Sequence, residues 1–320
     1  MTAIPEPLRS IVVILIVLFG LLTIAALLVW LERRLLGRWQ DRYGPNRLGP
    51  LGIFQTVADT IKLLTKEDWI PPFADKPVFV IAPAVIMVTV LLAFAIVPFA
   101  PELQVVDLNV GLLFFLGMSS LGVYSVVLAG WSSDNKYALI GSLRAAAQML
   151  SYEVFMGLSL MGVVMLAGSF SLNRIVAAQH GLWFCVPQIV GLIVFANAGI
   201  AETRRLPFDL PEAESEIVAG YHSEYSGMKF GMFFIGEYLG ITLIAAMIVT
   251  LFFGGWRGPW LPPVVWFGLK TFVLVCGFIL LRATLPRPRF DQLMEYGWKV
   301  MLPLALLNLV VTGAIVVARG

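Results

Sequence analysis

Between Glu202 and Glu224 the chain reads ETRRLPFDLPEAESEIVAGYHSE, a run holding Glu202, Asp209, Glu212, Glu214, Glu216 and Glu224 against Arg204 and Arg205. Glu212, Glu214 and Glu216 are two residues apart. Carboxylates so close in a partly dry site cannot all ionise cheaply, so their proton affinities rise and become linked. Such a group can store or release protons when a nearby charge changes. A solvated acidic loop would have the same composition. Three further carboxylates weigh against that reading: Glu153, Glu202 and Glu237 each fall at or just inside the end of an apolar stretch, at similar depth. A carboxylate inside a membrane costs several kcal/mol and marks a functional position by default. Together they suggest a protonatable path entering the membrane from the acidic loop. A second polar set follows the first apolar stretch: Glu32, Arg33, Arg34, Arg38, Asp41, Arg42 and Arg47. Positive anchoring explains the arginines, but neither anchoring nor orientation calls for Glu32.

Redox chemistry by the chain itself finds no support. His180 and His222 fall on opposite sides in the topology below and cannot share a haem. Cys185 and Cys276 lie far apart in apolar runs, which excludes a disulfide framework or a paired-cysteine metal site. No glycine-rich phosphate loop follows a strand. Electrons, if involved, come from another subunit.

The elements that must position these residues are membrane helices. Of 320 residues, 59% are hydrophobic and 13% charged, with a net charge of +2. That is about half the charged share of a soluble domain. The composition excludes a soluble enzyme, a disordered chain and a nucleic-acid binder. Spans of about 20 apolar residues are expected near 11–31, 78–100, 111–130, 149–168, 183–201, 232–253, 264–281 and 300–317. The fold class is an all-α polytopic membrane protein of about eight transmembrane helices, forming one domain over 1–320. The first stretch reads as a retained helix rather than a signal peptide.

Residues 53–66 predict a short amphipathic helix. Ile53, Phe54, Val57, Ile61 and Leu64 share one arc, and Gln55, Asp59, Lys62 and Lys66 the opposite one, with Leu63 the exception. It should lie in the interface plane or against neighbouring helices. The acidic loop is bounded at 202–229.

Sorting Lys and Arg by connection places 17 of 22 with the odd-numbered connections, which makes those cytoplasmic and both termini external. The acids follow: only Glu6, Glu102 and Asp107 of 20 fall outside. Lys270, near the outer end of its span, is expected to snorkel outward.

PFDLPEAESEIVAG (Pro207 to Gly220) resembles the acidic-loop signature of the quinone-module membrane subunit of respiratory complex I. GIFQTVADTIKLLTKE (Gly52 to Glu67) resembles the family's other signature. Arg42 to Gly52, Ala129 to Glu153 and Ala219 to Phe230 also look like family segments, in matching order. One departure is Thr60, where the family carries a smaller residue such as Ala.

The resemblance implies a subunit of proton-translocating NADH:quinone oxidoreductase in a bacterial inner membrane, with no redox cofactor of its own and no catalytic or metal-ligating residue. FMN and the iron–sulphur clusters would sit in partner subunits. Quinone, either ubiquinone or menaquinone, would bind in a chamber shared with the peripheral subunits that carry the terminal cluster. Small and antiporter-like membrane subunits would be neighbours. Carried over residue by residue, Glu32, Arg33, Asp59, Lys62, Arg282 and Arg287 are quinone-cavity groups. Glu153, Glu202, Asp209, Glu212, Glu214, Glu216 and Glu237 are proton-coupling carboxylates. A stand-alone proton-coupled transporter, a hydrogenase-related subunit and a purely structural anchor are the rival readings. The absence of an evident internal repeat counts against the first.

Overall fold

The computed structural model describes residues 6–101 and 103–319. Its helices are α1 (Glu6–Trp39), α2 (Gln55–Thr65), α3 (Lys76–Phe94), α4 (Gly111–Ser132), α5 (Lys136–Ala167), α6 (Leu172–Ala178), α7 (Ile189–Glu202), α8 (Glu214–Ile217), α9 (Gly227–Phe252), α10 (Pro263–Thr284), α11 (Phe290–Tyr296) and α12 (Leu302–Arg319). A π-helical turn at Gly297–Met301 joins the last two. Among the described residues seven helical stretches are long and apolar enough to cross a membrane, and α7 is a shorter apolar helix beside them. The chain is an all-helical polytopic membrane protein, with no strand among the described residues.

Several boundaries differ from expectation: α1 runs on past residue 31 to Trp39, α3 stops at Phe94 rather than near 100, and α9 starts at Gly227 rather than near 232. Helix α5 starts at Lys136, well before residue 149, because Lys136 and Arg144 mask its first turns in an apolar count. Its N-cap is Asn135, whose Oδ1 accepts from Tyr137 N–H at 2.9 Å. Helix α7 starts at Ile189, not near 183. Pro187 and Gly181 interrupt the run, and its 14 residues extend only about 21 Å. The backbone before it is satisfied elsewhere: Cys185 N–H donates to Phe252 O at 2.8 Å. The last span begins at α11 rather than at residue 300.

Helix α9 is the central element. Every residue from Ile241 to Phe252 is buried, as expected of a helix that is apolar all round. By contrast α1, α10 and α12 keep long rows of exposed Leu, Ile and Val, the surface a bilayer would cover.

Helix α2 packs on α1 and α9 with the arc opposite to the one an apolar stripe would choose in water. Gln55, Asp59 and Leu63 are half-buried, and Leu63 lies against Gly231 of α9. Ile53, Phe54, Val57, Ile61 and Leu64 are exposed. Leu63 is thus part of the inner contact. The apolar arc faces outward, as a helix lying in a membrane interface requires.

Charged contacts join alternate connections of the chain. Arg33–Asp59, Asp68–Lys229, Glu32–Arg205, Glu32–Arg282, Asp209–Arg287 and Arg144–Glu216 tie together the first, third, fifth and seventh. Asp107 and Gln104 of the second meet Ser171 and Asn173 of the fourth. Glu102 lies outside the described residues. Lys270 does not snorkel outward. Its Nζ donates to the carbonyls of Phe253, Gly255 and Arg257 at 2.8, 3.1 and 2.7 Å, capping the end of α9.

Candidate functional site

The acidic segment leaves α7 at Glu202 and lies over α5. Buried Gln148 of α5 fixes its start, with Nε2 donating to Ala201 O at 2.8 Å and Phe208 O at 2.9 Å. Two glycines allow its return to approach closely. A Cβ at Gly141 of α5 would stand 2.7 Å from Gly220 Cα, and one at Gly220 (φ +59°) 1.7 Å from Pro211 O.

Within this fold the candidate acids separate into three groups. The deepest is intramembrane. Consecutive serines of α4 serve two acids from different helices: Ser119 Oγ donates to Glu202 Oε1 at 2.8 Å and Ser120 Oγ to Glu153 Oε2 at 3.0 Å. Glu202 then shares a cavity of about 60 Å³ with Glu237, Ser119, Thr203 and Arg204, walled by Ile86, Phe115, Met149 and Leu243. That is room for a few waters. Glu153, Glu202 and Glu237 therefore converge, as their sequence depth suggested.

The second group is a buried ion network at the end of the bundle where the odd-numbered connections meet. Glu32 pairs with Arg282 and lies 3.8 Å from Arg205 Nη1. Arg205 Nε lies 2.6 Å from Glu237 Oε1, too bent to count as a hydrogen bond. Its guanidinium also sits over the Tyr238 ring at 4.5 Å. Arg205 thus joins an acid expected at the quinone cavity to one expected in proton coupling. Beside it, Arg287 Nη2 donates to Asp209 Oδ2 at 2.8 Å. Burial pushes the Asp209 carboxyl above the usual range, with Arg287 opposing. For Arg205, burial works against the charge, but Glu237 and the neighbouring Tyr238 and Glu32 outweigh it and hold the guanidinium charged.

The third group is peripheral. Arg33 Nη1 reaches Asp59 Oδ2 at 2.7 Å, and Lys62 Nζ lies 3.9 Å from Asp59 Oδ1. Glu32 and Arg33 are neighbours on α1, about 100° apart around the axis. One therefore points into the bundle and the other towards α2. The six expected cavity residues do not line one enclosed space. Glu32 and Arg282 line a narrow internal gap with Ile200, Arg205 and Phe278. Arg33 and Asp59 tie α1 to α2, and Lys62 flanks Asp59 from within α2.

The carboxylates of the acidic segment also part company. Glu212 is half-buried, accepts from Tyr221 Oη at 3.3 Å, and lies 3.8 Å from His222 Nδ1. Burial raises its proton affinity, the Asp209 charge adds to this, and Arg204 and Arg205 oppose it. Glu216 is exposed and pairs with Arg144 at 2.7 Å. The expected close triad is therefore not one cluster: Glu212 and Glu216 take separate partners, because the short helix α8 intervenes. The side chain of Glu214 lies outside the described residues. Asn135 Nδ2 donates to Glu224 Oε1 at 2.7 Å.

Four placements were not legible. Ser119 and Ser120 look like ordinary small residues of a span. Arg204 and Arg205 read only as basic residues set against the loop acids and counted for orientation, although a doublet beside buried acids of equal depth was a usable signal.

The model of the family described as NADH dehydrogenase matches residues 11–313. A relative from Methylococcus capsulatus strain Bath, named as a subunit of NADH-quinone oxidoreductase, is 66% identical over 304 residues, covering 95% of this chain and 96% of the relative. This chain belongs to the NADH dehydrogenase family. The family is that of the complex I membrane subunit which the sequence segments resemble, and this member contributes membrane helices and buried charge to that enzyme. Among its described residues no cluster of His, Cys, Asp and Glu is placed to hold a metal ion. An apolar cleft of about 300 Å³ opens between α1, α9 and α10, lined by Leu21, Leu28, Phe94, Ala246, Phe267 and Phe272.

Proposed function

We propose that the chain forms the membrane wall of a quinone chamber and couples quinone reduction to proton translocation. Peripheral subunits carrying FMN and iron–sulphur clusters deliver the electrons. The headgroup site is shared with the subunit that holds the terminal cluster. Antiporter-like membrane subunits receive the coupled signal, and the complex sits in a bacterial inner membrane with its charged face cytoplasmic.

One observation carries this reading. The Glu32–Arg282 pair at the inner face is joined through Arg205 to Glu237, which shares a cavity with Glu202. A negative charge, or a demand for protons, created beside Glu32 would be felt along that set. Interactions this close are little screened when buried. The work is electrostatic, and the chain's residues hold charge and protons rather than electrons. The cleft between α1, α9 and α10 has the apolar lining an isoprenoid tail requires, and α2 with its outward apolar arc lies beside α1 and α9.

The test is Glu202→Gln in the assembled complex, which keeps the shape and removes the titratable carboxyl. Quinone reductase activity and coupled proton pumping should both fall severalfold. Full activity with full pumping in properly assembled complexes would overturn the coupling role.

A further inference from the structure

Arg204 is outside the ion pairs described above, and three independent features set it apart. Its side chain is 3% exposed, yet Nε and Nη1 have no hydrogen-bond partner. A buried unpaired donor is costly, more so on a charged group. Its backbone has φ +55°, the left-handed region that non-glycine residues seldom adopt and that recurs at functional positions. It also stands on a boundary. On one side its guanidinium carbon is 5.1 Å from the centre of the Tyr221 ring, and Tyr221 Oη donates to Glu212. On the other, Arg204 lines the 60 Å³ cavity with Glu202 and Glu237. The neighbouring Arg205 also has Nε and Nη2 without a hydrogen bond, but it stands in ion pairs with Glu237 and Glu32, whereas Arg204 is in none of the ion pairs among the described residues.

The geometry points to Arg204 as the positioning residue that joins the loop acid Glu212 to the intramembrane acids Glu202 and Glu237, as a counter-charge shared between the two sides. This rests on the coupling reading above and names the group through which it passes. Arg204 carries no proton itself, since a guanidinium stays charged in proteins. Burial works against that charge, but Tyr221, Glu237, Glu212 and Glu202 together outweigh it. When one acid takes up a proton, the guanidinium is released to the acid that remains ionised, and a water in the cavity can follow. The planar fork matters: its five donors are spread in fixed directions over a wide group and can reach acceptors on both sides, whereas the donors of an ammonium radiate from a single nitrogen.

The groups facing this position are Glu202 on α7, Glu237 on α9, and Glu212 and Tyr221 in the loop. Asp209, Arg205 and His222 act on Glu212. Loss of the Arg204 charge leaves Glu212 holding its proton to higher pH.

The experiment uses assembled complexes in sealed vesicles, with reductase rate, protons moved per electron and pH profile measured for each variant. In Arg204→Gln the proton-to-electron ratio should fall at least about twofold, and the alkaline limb of the pH profile should move upward. In Arg204→Lys the pH profile should return towards that of the unaltered protein while the ratio stays low. A merely structural arginine predicts lower assembly but an unaltered ratio and profile per assembled complex, and that result would overturn the proposal. Where Arg204→Gln does not assemble, Arg204→Lys decides, and an unaltered ratio in it refutes the shared-donor role. Glu202→Gln is run beside them. If it lowers the ratio and the Arg204 variants do not, the inference about Arg204 alone fails. If Glu202→Gln leaves the ratio intact, the coupling reading fails first.

Discussion

Asp209 and Arg287 show how one residue can carry two roles. The pair pins the acidic segment to the connection after α10, and it keeps a carboxylate among buried charges. Their side chains are 19% and 26% exposed, between a surface pair, worth under about 1 kcal/mol, and a buried one, whose breaking costs about 3–5 kcal/mol. Arg287→Gln should therefore cost about 2 kcal/mol, read as a lowered thermal midpoint of the purified complex, with Asp209→Asn similar. No change in either would mean the pair is solvated. Burial also raises the proton affinity of Asp209 and Glu212. A raised carboxyl stays protonated in the folded state after the unfolded chain has ionised. Its stabilising share is complete below about pH 4 and is lost as pH climbs towards the raised value. Glu212→Gln keeps the acceptor for Tyr221 and cannot titrate, so its unfolding midpoint should fall less steeply above pH 4. An unaltered slope would show that Glu212 ionises freely. Sequence indicates which residues can titrate. It does not indicate partners brought from far along the chain, which is why Glu212 and Glu216 looked alike and proved different.

At the scale of elements, apolar runs located the spans because a bilayer demands a fixed length of apolar helix. They failed where tertiary contacts replaced that demand. Helix α7 is short because the backbone before it is satisfied by α9, where Phe252 O accepts from Cys185 N–H at 2.8 Å, and by buried Gln179, whose Oε1 accepts from Phe184 N–H at 3.3 Å. Helix α6, despite Leu172, Ile175 and Val176 at helical spacing, and the π-helical turn before α12 are too short to register as apolar spans. The arc of α2 was legible, but its direction was not, since periodicity marks an apolar face without saying what covers it. Lys270 is the plainest case of a residue whose role belongs to an element. Three carbonyls at the end of α9 converge on its ammonium, which also lies 4.5 Å from the Trp183 ring centre. Lys270→Met keeps much of the volume and removes all three donors. Amide exchange over Phe252–Arg257 should accelerate by at least about tenfold, consistent with losing charge-assisted bonds worth about 1.5–3 kcal/mol each. Unaltered exchange there would show that the end of α9 holds without it.

The whole molecule is polarised, and its small net charge conceals this. Seventeen of 22 basic and 17 of 20 acidic residues belong to, or lie just inside, one set of connections, and ion pairs join those connections to one another. The second and fourth connections are instead joined by hydrogen bonds, Asn173 to Gln104 and Ser171 to the Asp107 carboxylate, with no ion pair between them among the described residues. Opposite charges gathered on one face cancel in a sum while giving that face both internal ties and surplus groups for a partner. Arg38, Arg42 and Tyr43 at the end of α1 are exposed beside an open hollow of about 420 Å³, while Trp260 stands 91% exposed in the connection between α9 and α10. If the charged face is cytoplasmic and covered by the peripheral subunits, a cysteine placed at Tyr43 should resist a membrane-impermeant maleimide in inverted vesicles. It should react once those subunits are stripped. A cysteine at Trp260 should react only in right-side-out vesicles, whether or not the peripheral subunits are present. Labelling at Trp260 from the stripped side would reverse the orientation, and labelling at Tyr43 in the intact complex would leave that part of the charged face without a partner.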